Sequence, residues 1–130
     1  EAFETEHTLL RLQPKIRLLH DLLAGVAAMD EVKEVRGRGM MVGIDLGDHD
    51  PKLRMGHRVT LEARERGAII RPLGDVVVLM PPLSIAKLEL SRLVAIVRKS
   101  IAAAHESAYG AKPQQLPASR ELPAAVARAA

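Results

Sequence analysis

The stretch RPLGDVVVLMPPLSI, from Arg71 to Ile85, holds the side chain with the most chemistry in prospect. A guanidinium is planar and permanently charged, and it matches a carboxylate through two parallel hydrogen bonds. Arg71 follows an apolar run and precedes a proline, which biases it to extended geometry at the end of a strand. Beside the apolar run from Val76 to Met80, such a cation suits an acid with an apolar tail. The same spacing allows a surface ion pair between Arg71 and Asp75 across the turn, a contact of little energetic weight. On the residues alone both readings stand.

The other reactive side chains form no site by spacing. His7, His20, His49, His57 and His105 contain no HExxH pair, and no cysteine is present to complete a zinc set, so no metal site is expected. Asp48, His49 and Asp50 offer a weak cation site, but Asp50 ahead of Pro51 fits a helix cap first. Ser84, Ser91, Ser100, Ser107 and Ser119 lack the GxSxG context of a nucleophile elbow. Lys87 has the chemistry of a Schiff-base former, yet at the start of an exposed helix it reads as a solvated charge. Gly37-Arg38-Gly39 lacks the glycine pattern of a nucleotide loop and reads as a hairpin turn, with Arg36 and Arg38 as solvated edge charges.

Composition narrows the classes. The 130 residues suffice for one domain, and 48% hydrophobic residues support a folded core. With 2% aromatic residues, that core is aliphatic. The net charge of +3 is concentrated late: up to Gly110 there are sixteen basic against fifteen acidic side chains, one net positive charge. A near-neutral body with interspersed signs lacks the basic face that phosphate backbones need. One Phe and one Tyr supply no stacking platform for single strands. No apolar run approaches the ~20 residues of a membrane span, and no signal peptide is expected. The absence of cysteine fits a reducing, cytoplasmic setting. The chain begins with Glu1 and reads as a fragment or a processed product.

The elements that must position Arg71 follow from periodicity. Leu9, Leu12, Ile16, Leu19, Leu23 and Val26 recur at steps of three and four, an amphipathic helix interrupted by Pro14, where a kink is expected. Val32 to Arg36 and Met40 to Leu46 read as strands of a hairpin turning at the glycines 37 and 39. A helix capped by Asp50 is expected from Pro51 to Arg66, ending at Gly67. Ala68 to Arg71 and Val76 to Met80 read as a second hairpin around Pro-Leu-Gly-Asp. Leu90, Leu93, Val94, Val97, Ile101 and Ala104 mark a final helix, with Arg98, Lys99 and His105 toward its C-terminus. The fold class is α+β, with helices packed on one face of a small, mostly antiparallel four-stranded sheet. Residues 1–109 form the domain, and the Pro- and Ala-rich residues 110–130 read as a flexible tail.

The segment GAIIRPLGDVVVLMPPLSI resembles the C-terminal small domain of the class III aminotransferases, enzymes of pyridoxal 5'-phosphate. VKEVRGRGMMVGIDL resembles that domain's hairpin and LQPKIRLLHDLLAGVAAM the helix leading into it, so the likeness covers roughly residues 3–106. Within the family it is greatest to the biotin-synthesis members. These move an amino group from S-adenosylmethionine to the keto acid 8-amino-7-oxononanoate. The resemblance implies that Arg71 binds the substrate carboxylate. It implies a cofactor held by a large domain that supplies the Schiff-base lysine, and a homodimer in the complete enzyme. This chain alone is then expected to be inactive. Alternatives are the small domain of another class III omega-aminotransferase, or a stand-alone binding domain without catalysis. The resemblance also implies a hydroxyl residue where Ala86 stands, as a cap paired with Glu89; without it, Ser84 is expected to cap the last helix from an earlier start.

Overall fold

In the computed structural model, which describes residues 7–110, three helices cover one face of a four-stranded sheet, and the fold is α+β. The elements in chain order are α1 (Thr8–Ala27), β1 (Glu34–Arg38), β2 (Met41–Asp45), a short 3₁₀ turn (Pro51–Leu53), α2 (Met55–Glu65), β3 (Arg71–Leu73), β4 (Val76–Leu79) and α3 (Lys87–Tyr109). The strand order is β1-β2-β4-β3 and every pairing is antiparallel. The expected residues 110–130 tail falls, beyond Gly110, outside the described residues.

Register sorts every strand residue to a face, because directly paired residues share one side of a sheet. Val35, Ile44, Val77 and Pro72 form one row beneath the helices, and Gly37, Val42 and Leu79 another. Val42, Ile44, Val77 and Leu79 are fully buried there, against Leu19, Leu23 and Val26 of α1, Val59 of α2, and Leu90, Val97 and Ile101 of α3. The buried hydroxyls are satisfied within their own helices: Thr60 donates to the Gly56 carbonyl (2.9 Å) and Ser100 to that of Ile96 (2.7 Å).

Helix α1 contains Pro14 and continues past it; the carbonyl freed at Leu10 belongs to an exposed residue, where water can serve it. Several elements depart from the sequence expectation. Leu9, expected on the apolar stripe, is 64% exposed, so the buried stripe starts at Leu12. Strand β1 lies two residues later than expected, since the two-residue turn is Gly39–Met40, with Gly39 at φ +60. Gly37 stays within the strand, where a side chain would press on Val42 and on His20 of α1. The run from Ala68 to Ile70 is not a strand: Ala68 and Ile70 drop into the core, and pairing begins only at Arg71. The strand then passes through Pro72, which the sheet accepts because β3 is an edge where a missing N–H breaks no ladder.

Capping also differs. Asp50 Oδ1 accepts from the Lys52 amide (2.9 Å), so it caps the 3₁₀ turn and not α2. Helix α2 begins after Arg54, whose backbone is left-handed (φ 48) and whose side chain does not cap. The N-cap of α3 is Ala86 with no side-chain cap, so Ser84 does not take that role. Because α3 continues to Tyr109, Arg98 and Lys99 lie within its body, and its last turn carries no basic residue.

Candidate functional site

Arg71 lies at the outer edge of the face that the helices leave open. The register runs Arg36, Gly43, Val78, Arg71 along one row, and Glu34, Asp45, Val76, Leu73 along the next. Exposed apolar side chains share this face: Leu73 at 72% and Met41 at 56%. Ile69 and Met80, just beyond the strand ends, are exposed as well. The hairpin that carries Arg71 closes on Gly74 and Asp75, with Gly74 at φ +61, the first central position of a two-residue turn that favours glycine.

The ion pair between Arg71 and Asp75 is not formed. Among the described residues, the Arg71 side chain enters no salt bridge or hydrogen bond, and the Asp75 carbonyl accepts from the Leu46 amide at 2.9 Å. An exposed, unengaged guanidinium over an apolar surface remains free to take an anionic ligand. At the other end of the row, Arg36 is solvated and weakly paired with Glu34 (3.4 Å), as expected of an edge charge. Its place on the same row as Arg71 comes from pairing register, which spacing along the chain does not show.

An open groove of about 330 Å³ lies between β4 and the start of α3, and Arg71 is not among the residues that line it. Ile70, Val78, Met80, Pro82, Ile85 and Leu93 supply apolar walls, and Glu89 and Arg92 sit at its rim, bonded to each other at 3.2 Å. Arg71 neighbours two of these walls, Ile70 in sequence and Val78 across the ladder.

The other candidates are committed elsewhere. Asp48 pairs loosely with Lys33 (3.8 Å), and Asp50 caps. His49 Nε2 bonds the Leu46 carbonyl (2.8 Å) and its Nδ1 the Tyr109 hydroxyl (2.6 Å). With Nε2 donating, Nδ1 accepts from the phenol, and the loop after β2 is tied to the end of α3. His105 packs against the Tyr109 ring, centroids 4.7 Å apart and planes tilted by 41°. His20 bonds the Gly39 carbonyl (3.2 Å), where it supports the first hairpin. Ser91 and Ser100 return their hydroxyls to carbonyls of α3, and Ser107 lies near Arg58.

An antiparallel four-stranded sheet backed by three helices is a fold this chain shares with solved aminotransferases. The family described as Aminotransferase class-III matches residues 1–101, and the chain belongs to it. A curated relative, the adenosylmethionine-8-amino-7-oxononanoate aminotransferase of Nitratidesulfovibrio vulgaris (strain Hildenborough), is 50% identical over 113 residues. That match covers 82% of this chain and 21% of the relative. The crystal structure of the enzyme of the same name from Methanocaldococcus jannaschii superposes with a TM-score of 0.74 at 37% identity, over 76% of this chain and 24% of that one. An omega-transferase from Vibrio fluvialis JS17 superposes at 0.79 with 20% identity, covering 85% of this chain and 28% of that one, a likeness of fold alone. The chain thus spans about a fifth of the length of the curated relatives just compared. No helix among the described residues is long and apolar enough to cross a membrane.

Proposed function

We propose that this chain is the small domain of a pyridoxal-phosphate-dependent transaminase. The enzyme moves an amino group from S-adenosylmethionine to 8-amino-7-oxononanoate in biotin synthesis. Residues 1–109 form the domain and 110–130 a tail. The observation that carries the reading is Arg71, unengaged and exposed at the edge of the open sheet face beside Val78 and Leu73, in a chain 50% identical over 113 residues to an enzyme named for that reaction.

Arg71 holds the carboxylate of the keto acid through its planar fork. The methylenes of that substrate lie against the apolar side chains beside it, Val78 and Leu73. The attraction strengthens once docking removes water, because an ion pair weakens in proportion to the dielectric around it. The exposed apolar residues of the open face are the surface against which a large domain packs, and the complete enzyme is a cytoplasmic homodimer.

Pyridoxal phosphate supplies the electron sink and amino carrier of this chemistry. The described lysines do not fit as its anchor. Lys15 bonds the Leu83 carbonyl (3.0 Å), Lys33 pairs with Asp48, and Lys52, Lys87 and Lys99 are solvent-exposed. The cofactor therefore belongs to the large domain, and this chain by itself is inactive.

The test is Arg71→Ala in the complete transaminase. The KM for the keto acid should rise tenfold or more, by an order-of-magnitude estimate for a lost charge-assisted bond, with the S-adenosylmethionine half-reaction unchanged. An unaltered dependence on the keto acid sinks the proposal. A preference for ω-amino acids or diamines over S-adenosylmethionine would move the enzyme to another branch of the same family.

A further inference from the structure

Arg71 is placed by a turn, and the turn is held from two sides. On one side the Leu46 amide donates to the Asp75 carbonyl at 2.9 Å, tying the turn to the end of β2. On the other side the first turn of α2 meets it. A Cβ built on Gly56 would fall far inside contact distance of the Gly74 carbonyl oxygen, and it would also press on the Pro72 Cβ at 3.2 Å. No other described glycine approaches a backbone atom so closely. Gly56 has an ordinary helical backbone, so its lack of a side chain serves this contact and not a special φ. Thr60 anchors the same turn of helix through its bond to the Gly56 carbonyl.

We infer that Gly56 is a positioning residue for Arg71: the bare backbone lets α2 seat the Pro72–Asp75 turn, which sets where the guanidinium stands on the open face. This rests on the reading of Arg71 as the carboxylate ligand. Any side chain at position 56 displaces the turn, because neither partner of the clash is a flexible side-chain end. Arg71 lies three residues before Gly74, at the start of the three-residue strand that runs into the turn, so a displaced turn carries it along. Moving a binding group by about 1 Å from a distant mutation costs up to a hundredfold.

The experiment uses the complete transaminase and compares Gly56→Ala, Arg71→Ala, the double variant, and Gly25→Ala as a control. At Gly25 a Cβ meets only Arg98 Nη1, at an ordinary 3.7 Å. Each half-reaction is measured separately, with the thermal midpoint as a check that the protein is folded. Gly56→Ala should lower kcat/KM for the keto acid about tenfold to a hundredfold and leave that for the amino donor within about twofold. In the Arg71→Ala background it should cost the acceptor nothing further, since the residue it positions is gone. Three results would overturn the inference: no loss in folded Gly56→Ala, equal losses in both half-reactions, or an undiminished loss in the Arg71→Ala background.

If Gly56→Ala does not fold, Gly74→Ala takes its place. It moves the same turn by opposing its positive φ, with open space around the new Cβ. The same acceptor-selective loss is expected, and a neutral result overturns the inference. An Arg71→Ala enzyme with unchanged acceptor kinetics would remove the underlying reading as well, because Gly56 would have no ligand to position. Loss in Arg71→Ala with none in Gly56→Ala removes the Gly56 role alone.

Discussion

At the scale of single residues, the free guanidinium of Arg71 is the feature to which the rest of the site is subordinate. If Arg71 holds a carboxylate, as proposed, geometry counts as well as charge, and Arg71→Lys tests which matters. A lysine keeps the charge but loses the fork. Keto-acid binding in Arg71→Lys should fall between wild type and Arg71→Ala, measured as KM in the second half-reaction. Full retention would mean that a point charge suffices and that the planar match is irrelevant. The sequence singles out Arg71 as the end of a strand over residues 68–71, whereas the structure makes it the first residue of β3. Its freedom from Asp75 was not legible. Spacing puts Asp75 within reach, and only the turn geometry shows the two groups unpaired.

Elements show where local signals compete with pairing. The run from Ala68 to Arg71 has strand propensity, yet Ala68 and Ile70 drop into the core and only Arg71, Pro72 and Leu73 pair with β4. The alternation within β2 carries a direct prediction. Ile44→Ala should destabilise the domain by about 2–5 kcal/mol, since Ile44 is fully buried. Met41→Ala, three residues away on the open face, should change stability by no more than about 0.5 kcal/mol. Denaturant unfolding of the two variants decides it, and equal costs would mean the register is wrong. Helix α3 is longer than its apolar stripe and starts at an uncapped Ala86, with Glu89 three residues on. That spacing lacks only a hydroxyl to form a capping box. Ala86→Ser should therefore raise stability by about 1 kcal/mol in thermal unfolding, and an unchanged midpoint would show that the end is satisfied by water.

Among the described residues of the molecule, one sheet face is covered and the other is bare. Three helices bury the rows through Val42 and Ile44, while Met41 and Leu73 stand in solvent on the other side with Arg36 and Arg71 around them. Exposed apolar side chains on an uncovered sheet face mark an interaction surface. The 130-residue chain produced on its own should self-associate with rising concentration, and Met41→Lys with Leu73→Lys should return it toward monomer. Sedimentation velocity gives the answer directly. A well-behaved monomer over the whole concentration range would favour a stand-alone domain over one that docks against a larger partner.

The amino-acid sequence by itself determined the α+β class, the helix stripes, the two glycine-centred turns and Arg71 as the residue of interest. All of these follow from local rules: side-chain period, φ preference, and the chemistry of one functional group. Tertiary structure alone decided which strand residues pair, which sheet face is bare, that Arg36 shares a row with Arg71, and that Gly56 must lack a side chain because the Gly74 carbonyl lies against it. These are relations between segments far apart in the chain. They depend on register and packing, which no local pattern encodes.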